Sequence, residues 1–74
     1  MAELPLLSGQ KIVKALSKIG YLVERQRSSH LRLIAPGRKP VTVPDYKIVG
    51  RGLLRKIIRD TEISTEQFIE LLKK

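Results

Sequence analysis

The stretch Tyr21-Leu22-Val23-Glu24-Arg25-Gln26-Arg27-Ser28-Ser29-His30-Leu31-Arg32-Leu33-Ile34 decides how this chain folds. Tyr21 to Gln26 is β-prone and has no helical period. Arg27-Ser28-Ser29 is polar and turn-like. From His30 the residues alternate, with Leu31 and Leu33 on one side and His30 and Arg32 on the other, as a half-buried strand requires. Two strands joined by a short polar turn make a hairpin. The same stretch holds the single histidine of the protein, set beside two serines and among three arginines.

Working outward, Ala35-Pro36-Gly37-Arg38-Lys39-Pro40 reads as a turn centred on Pro-Gly. Val41-Thr42-Val43 is a third strand, ended by Pro44. The three strands most simply form an antiparallel meander with one apolar face on helices and one wet face. Upstream, residues 1–7 are apolar, and Pro5 limits helix there. Ser8 is a good N-cap, with Leu7 and Ile12 placed to close a hydrophobic staple. Ile12, Val13, Leu16 and Ile19 then follow helical spacing, with Lys11, Lys14 and Lys18 on the other face and Gly20 at the C-cap. A first helix is expected over about 9–19. Downstream, 45–50 is a loop. A second helix runs from Gly52 to about Asp60, with Leu53, Leu54, Ile57 and Ile58 as its buried face. Arg51, Arg55 and Arg59 recur every four residues as one basic stripe, either a solvated face or a contact for phosphate or a partner. Ser64 opens a third helix: Ser64 with Gln67 makes a capping box, and Ile63 with Phe68 its staple. Phe68, Ile69, Leu71 and Leu72 form its apolar side. The expected order is αβββαα, an α+β fold with a three-stranded antiparallel sheet packed on helices, in one domain covering 1–74.

Composition narrows the function. The chain has 74 residues and no cysteine, which rules out a disulfide framework and thiolate-bound metal. A core this small is thin. Apolar runs are four residues or fewer, too short to span a bilayer, and no signal-peptide pattern is visible. A soluble cytoplasmic protein is expected. The net charge is +8, and it is uneven: residues 1–19 carry +2, residues 20–59 carry +8 and residues 60–74 carry −2. Such a field draws in polyanions.

Histidine is the side chain that both takes and gives a proton near neutral pH. On the alternation argument His30 shares the wet face with Arg32, and Arg25 and Arg27 lie just across the hairpin. Imidazole among guanidinium groups suits a phosphodiester. The arginines hold phosphate oxygens and offset developing charge, and the imidazole takes the proton of a 2′-hydroxyl or protonates the leaving 5′-oxygen. RNA can be cut this way without metal or cofactor; DNA lacks the internal nucleophile. The bland reading is a surface histidine. Ser28 and Ser29 read first as turn formers, since no Ser-His-acid set is identifiable. One histidine with scattered carboxylates gives no metal-ligand spacing. Gly50-Arg51-Gly52 is too short for a phosphate loop. Tyr21 and Phe68 read as core. Tyr46 lies in a loop, where it could stack on a base or pack.

The chain resembles the HicA toxin family, small mRNA interferases of toxin–antitoxin pairs. The resemblance rests on an ordered set: Leu4-Pro5-Leu6-Leu7-Ser8-Gly9, Ile19-Gly20-Tyr21, Arg25 to His30, Val41-Thr42-Val43-Pro44, Gly52-Leu53-Leu54-Arg55-Lys56-Ile57-Ile58, and Ile63-Ser64-Thr65-Glu66-Gln67-Phe68. It implies a fold like that of double-stranded-RNA-binding domains, metal-independent cleavage of RNA with His30 as the catalytic residue, and a HicB antitoxin that covers this histidine. Arg25, Arg27, Arg32 and Lys47 are the expected phosphate ligands, with Ser29 and Tyr46 as accessory groups. The chain departs from the family pattern twice. Ser28 stands where Gly-Ser-His is usual, and Asp45-Tyr46 stands where a second histidine often follows Val-Pro. A non-catalytic RNA-binding module, or a domain that only binds an acidic antitoxin, are the other readings.

Overall fold

A computed structural model describes residues 4–73; residues 1–3 of the apolar N-terminal segment, and Lys74, lie outside it. The element order is α1 (Gly9–Ser17), β1 (Leu22–Arg27), β2 (His30–Ala35), β3 (Arg38–Pro44), α2 (Arg51–Thr61) and α3 (Thr65–Lys73), so the expected αβββαα order is found. The strands form one antiparallel sheet in the order β1-β2-β3.

Local chemistry sets most boundaries. The Ser8 hydroxyl accepts from the Lys11 amide at 3.2 Å and opens α1. The helix stops at Ser17, two residues before the expected end. Its last turn tightens into i→i+3 bonds from the Lys18, Ile19 and Gly20 amides, and Gly20 leaves at φ 104. The capping box of α3 forms in both directions: the Ser64 amide donates to Gln67 Oε1 at 2.8 Å, and the Gln67 amide donates to Ser64 Oγ at 3.0 Å. The third strand begins at Arg38, earlier than Val41. Leu33 pairs with Val41 and Ala35 with Arg38, so Lys39 and Pro40 together face the single residue Ile34. Pro40 therefore sits in a bulge on an edge strand, where its missing N–H removes no ladder bond.

The helices cover one face of the sheet. Leu31, Leu33, Val41 and Val43 point inward and are buried; Leu33, Val41 and Val43 share one core with Ile12, Leu16, Leu54, Ile57, Ile58 and Phe68. Side chains such as Leu33, Leu54 and Phe68 have no exposure, and each contributes roughly 1.5–3 kcal/mol of burial. In α2, Leu53 is 40% exposed and does not belong to the buried face. Four apolar residues at 53, 54, 57 and 58 span a wider arc than β3 covers, so Leu53 is left on the rim. In α3 only Phe68 is buried; Ile69, Leu71 and Leu72 pack half-buried at the core's margin. An antiparallel bridge from Leu7 to Val49, which no local pattern announces, ties the N-terminal segment to the loop before α2. Arg51 Nε strengthens the same join by donating to the Leu4 carbonyl at 2.7 Å.

The strand β1 is the exception. All six of its residues are exposed. Tyr21, just before it, is buried at 1% exposure and donates its hydroxyl to the Lys39 carbonyl at 2.8 Å.

Candidate functional site

The turn between β1 and β2 has two residues, Ser28 and Ser29. Two residues across a hairpin fix the pairing, so Arg27 lies directly opposite His30 and Gln26 opposite Leu31. Ser28 takes φ 57, the left-handed region, where a β-carbon is strained. Gln26 Nε2 donates to the Ser28 carbonyl at 3.1 Å and braces the turn. Beyond the next pair β1 bulges: Val23 pairs with Leu33 and Arg25 with Arg32, leaving Glu24 as the extra residue. The bulge explains why residues 21–26 show no clean alternation.

Paired residues of a sheet share a face. Leu31 and Leu33 point inward, so His30, Arg32, and their partners Arg27 and Arg25 all point to the side away from the helices. On β3, Thr42 opposite Arg32 joins them. Arg25, Arg27, His30, Arg32 and Thr42 line one shallow open depression of about 170 Å³. His30 is exposed. Two larger concavities, each about 250 Å³, have apolar floors and lie elsewhere: one between α1 and α3, the other around Ile19, Ile63 and Leu71.

The electrostatics of the depression are lopsided. Arg25 and Arg32 are directly opposed like charges, an arrangement that costs free energy until an anion sits between them. Glu24 offsets part of this: its Oε1 lies 2.9 Å from Arg32 Nε, with both side chains more than 40% exposed, so the pair is weak. Among the described residues, Arg25 and Arg27 have no carboxylate within ion-pair distance.

The floor of this end is held through the backbone. The Asp45 amide donates to the Ser29 carbonyl at 2.6 Å, and the Gly9 amide donates to the Tyr46 carbonyl at 2.9 Å. Gln10 Nε2 donates to Asp45 Oδ1 at 3.0 Å. A β-carbon on Gly9 would land on the Pro44 carbonyl oxygen, so only glycine lets α1 start against the end of β3.

Of the residues singled out from sequence, His30, Arg25, Arg27 and Arg32 come together. Ser29 is half-buried beside them, its carbonyl held by Asp45. Tyr46 and Lys47 are exposed on the loop leaving β3 and do not line the depression. Sequence reasoning passed over Thr42, which strand alternation would have placed on this face. It also passed over Glu24 and the Gln10–Asp45 contact, for which no local signal exists. Among the described residues, no three His, Cys, Asp or Glu side chains gather as a metal would require. No helix among them is long and apolar enough to cross a membrane.

With this geometry in place, the comparison with protein families is direct. The model described as HicA toxin of bacterial toxin-antitoxin matches residues 9–63, which runs from the first residue of α1 to the start of the α3 cap. The chain belongs to the HicA toxin family. It is thus the toxin half of a pair whose other half, in this family, is a HicB antitoxin. No curated protein matches it. The matched span contains the whole sheet and every residue of the depression.

Proposed function

We propose that this HicA toxin is an mRNA interferase, acting in the cytoplasm as one domain over residues 1–74 and cleaving single-stranded RNA without metal. The observation that carries the reading is the exposed His30 imidazole sharing one depression with three guanidinium groups. Arg25 and Arg27, which have no carboxylate partner among the described residues, bind the scissile phosphate, and Arg32 joins when the anion draws it from Glu24. His30 takes the proton of the ribose 2′-hydroxyl. The 2′-oxygen forms its bond to phosphorus as the bond from phosphorus to the 5′-oxygen breaks. Water supplies the proton to the departing 5′-oxygen, leaving a 2′,3′-cyclic phosphate and a 5′-hydroxyl. The guanidinium groups offset the charge that builds on the phosphorane oxygens. Ser29 sets the position of His30 through its clamped carbonyl, and Tyr46 and Lys47 meet flanking nucleotides. With one histidine, base and acid cannot both be imidazoles, so turnover is modest. The HicB antitoxin silences the toxin by covering His30.

The test is cleavage of a single-stranded RNA in excess chelator. Activity that survives chelation, drops about 10²–10⁴-fold in His30→Ala, and disappears when the attacked ribose is 2′-deoxy supports the reading. An absolute need for Mg²⁺ overturns it.

A further inference from the structure

The strand β1 is unlike the rest of the molecule. It lies at the edge of the sheet, and none of its six residues is buried. Among the described residues, no loop or helix backbone hydrogen-bonds to Leu22–Arg27 from outside the sheet. Its outer edge is a row of open N–H and C=O groups. The opposite edge, β3, is guarded by Pro40 and Pro44, which offer no donor.

Edges are commonly blunted by charge, and Arg25 and Arg27 do reject one neighbour: a second copy of the same strand would bring arginine against arginine. A blunted edge should not also carry exposed apolar side chains, however. Leu22 is 69% exposed and Val23 47%, and Ile34, directly opposite Leu22, is 39% exposed. Because Glu24 is absorbed by the bulge, Leu22, Arg25 and Arg27 all look out on the face away from the helices, while Val23 and Gln26 look to the other side. The edge therefore has an order along it: apolar at its start, cationic at its end beside His30.

We infer that β1 is a docking edge for an extended acidic segment of a partner protein, which adds a fourth strand and sets its acidic side chains against Arg25 and Arg27. Main-chain hydrogen bonds supply the affinity, and alternate side chains supply the choice. Run antiparallel, the fitting segment reads acid opposite Arg27, a small polar residue opposite Gln26, acid opposite Arg25, then two apolar residues opposite Val23 and Leu22. Nucleic acid would meet the arginines but leave the open amides and the Leu22–Ile34 pair unused, so the observations favour protein. A strand so placed borders the depression and puts carboxylates where phosphate would bind. The inference concerns how a partner is held and does not depend on RNA being cleaved.

The probe is a synthetic peptide, acetyl-Ser-Glu-Thr-Glu-Val-Leu-Thr-amide, added to the full-length ¹⁵N-labelled protein. Expected are shifts and slowed hydrogen exchange of amides within Leu22–Arg27, with β3 amides unmoved. The peptide with lysine in place of both glutamates binds at least about five-fold more weakly. In the double variant Arg25→Glu/Arg27→Glu the preference reverses. Unmoved β1 amides at millimolar peptide, or equal binding of both peptides, overturns the proposal. So does protection of the edge amides by a short 2′-O-methyl RNA and not by the peptide. No RNA is cut in this experiment, so its failure leaves the ribonuclease reading standing, and an inactive nuclease would still bind the peptide.

Discussion

The two ends of the sheet solve the same problem differently. At one end Pro36-Gly37 joins β2 to β3, and Gly37 takes φ 73 with nothing within 4 Å of where a β-carbon would stand. The turn has the residue it asks for, and side chains tie it down: the Tyr21 hydroxyl on the Lys39 carbonyl, and Arg38 Nη1 on the Thr61 carbonyl at 3.3 Å. At the other end Ser28 takes φ 57 without being glycine, and the ties are mostly backbone to backbone, through Asp45 to Ser29 and Gly9 to Tyr46. His30 stands at this second end. Of the two turns of the sheet, the one beside His30 carries a strained non-glycine residue and the other does not. A strained residue persists only where its surroundings over-determine it, and here the abutting start of α1 does so.

Four substitutions probe that contrast. The largest effect is expected at the clamp: Gly9→Ala drives a methyl into the Pro44 carbonyl and should cost about 3 kcal/mol, read as a fall in the urea midpoint. An unchanged midpoint would mean that α1 does not fix this end. Gly37→Ala meets no atom, so its cost is backbone alone, about 1–2 kcal/mol by the same measurement. Tyr21→Phe removes one hydrogen bond and should cost about 1 kcal/mol at neutral pH. It also changes the pH dependence. Burial holds the Tyr21 phenol above its ordinary value; the Glu62 and Asp60 carboxylates push the same way, and Arg38 opposes them. A raised native value means the native state holds the proton more tightly. This contribution is whole below the unfolded value of about 10 and is lost as pH climbs through the native one. Denaturation series from pH 8 to 11 should show that loss in the parent and not in Tyr21→Phe. The smallest effect has the opposite sign: Ser28→Gly relieves the left-handed serine and should stabilise by about 0.5–1 kcal/mol, net of the flexibility glycine adds to the unfolded chain. Were it to destabilise, the strain assigned to this turn would be wrong.

Local signals were read well from sequence and non-local ones poorly. Ser8 and the Ser64–Gln67 pair mark helix starts because a cap is satisfied within four residues. Alternation in β2 placed His30 and Arg32 on one face because β2 is the central strand, buried on one side only. The early start of β3 was hidden by Pro40, whose bulge appears only once Ile34 is known to lie opposite. Leu53 was misassigned because apolar spacing says which residues could be buried, not how wide a surface will cover them. Lys47 and Tyr46 follow Pro44 closely in sequence, but the loop that carries them is tied to Gly9 and Leu7, and neither side chain lines the depression.

The bulged Glu24 has a thermodynamic consequence of its own. The depression arrives with a resident counterion already seated on one of its three guanidinium groups. An incoming polyanion therefore exchanges with a carboxylate there instead of releasing a salt ion from solution. Affinity should fall with added salt less steeply than three arginines would dictate, with a slope closer to that of two.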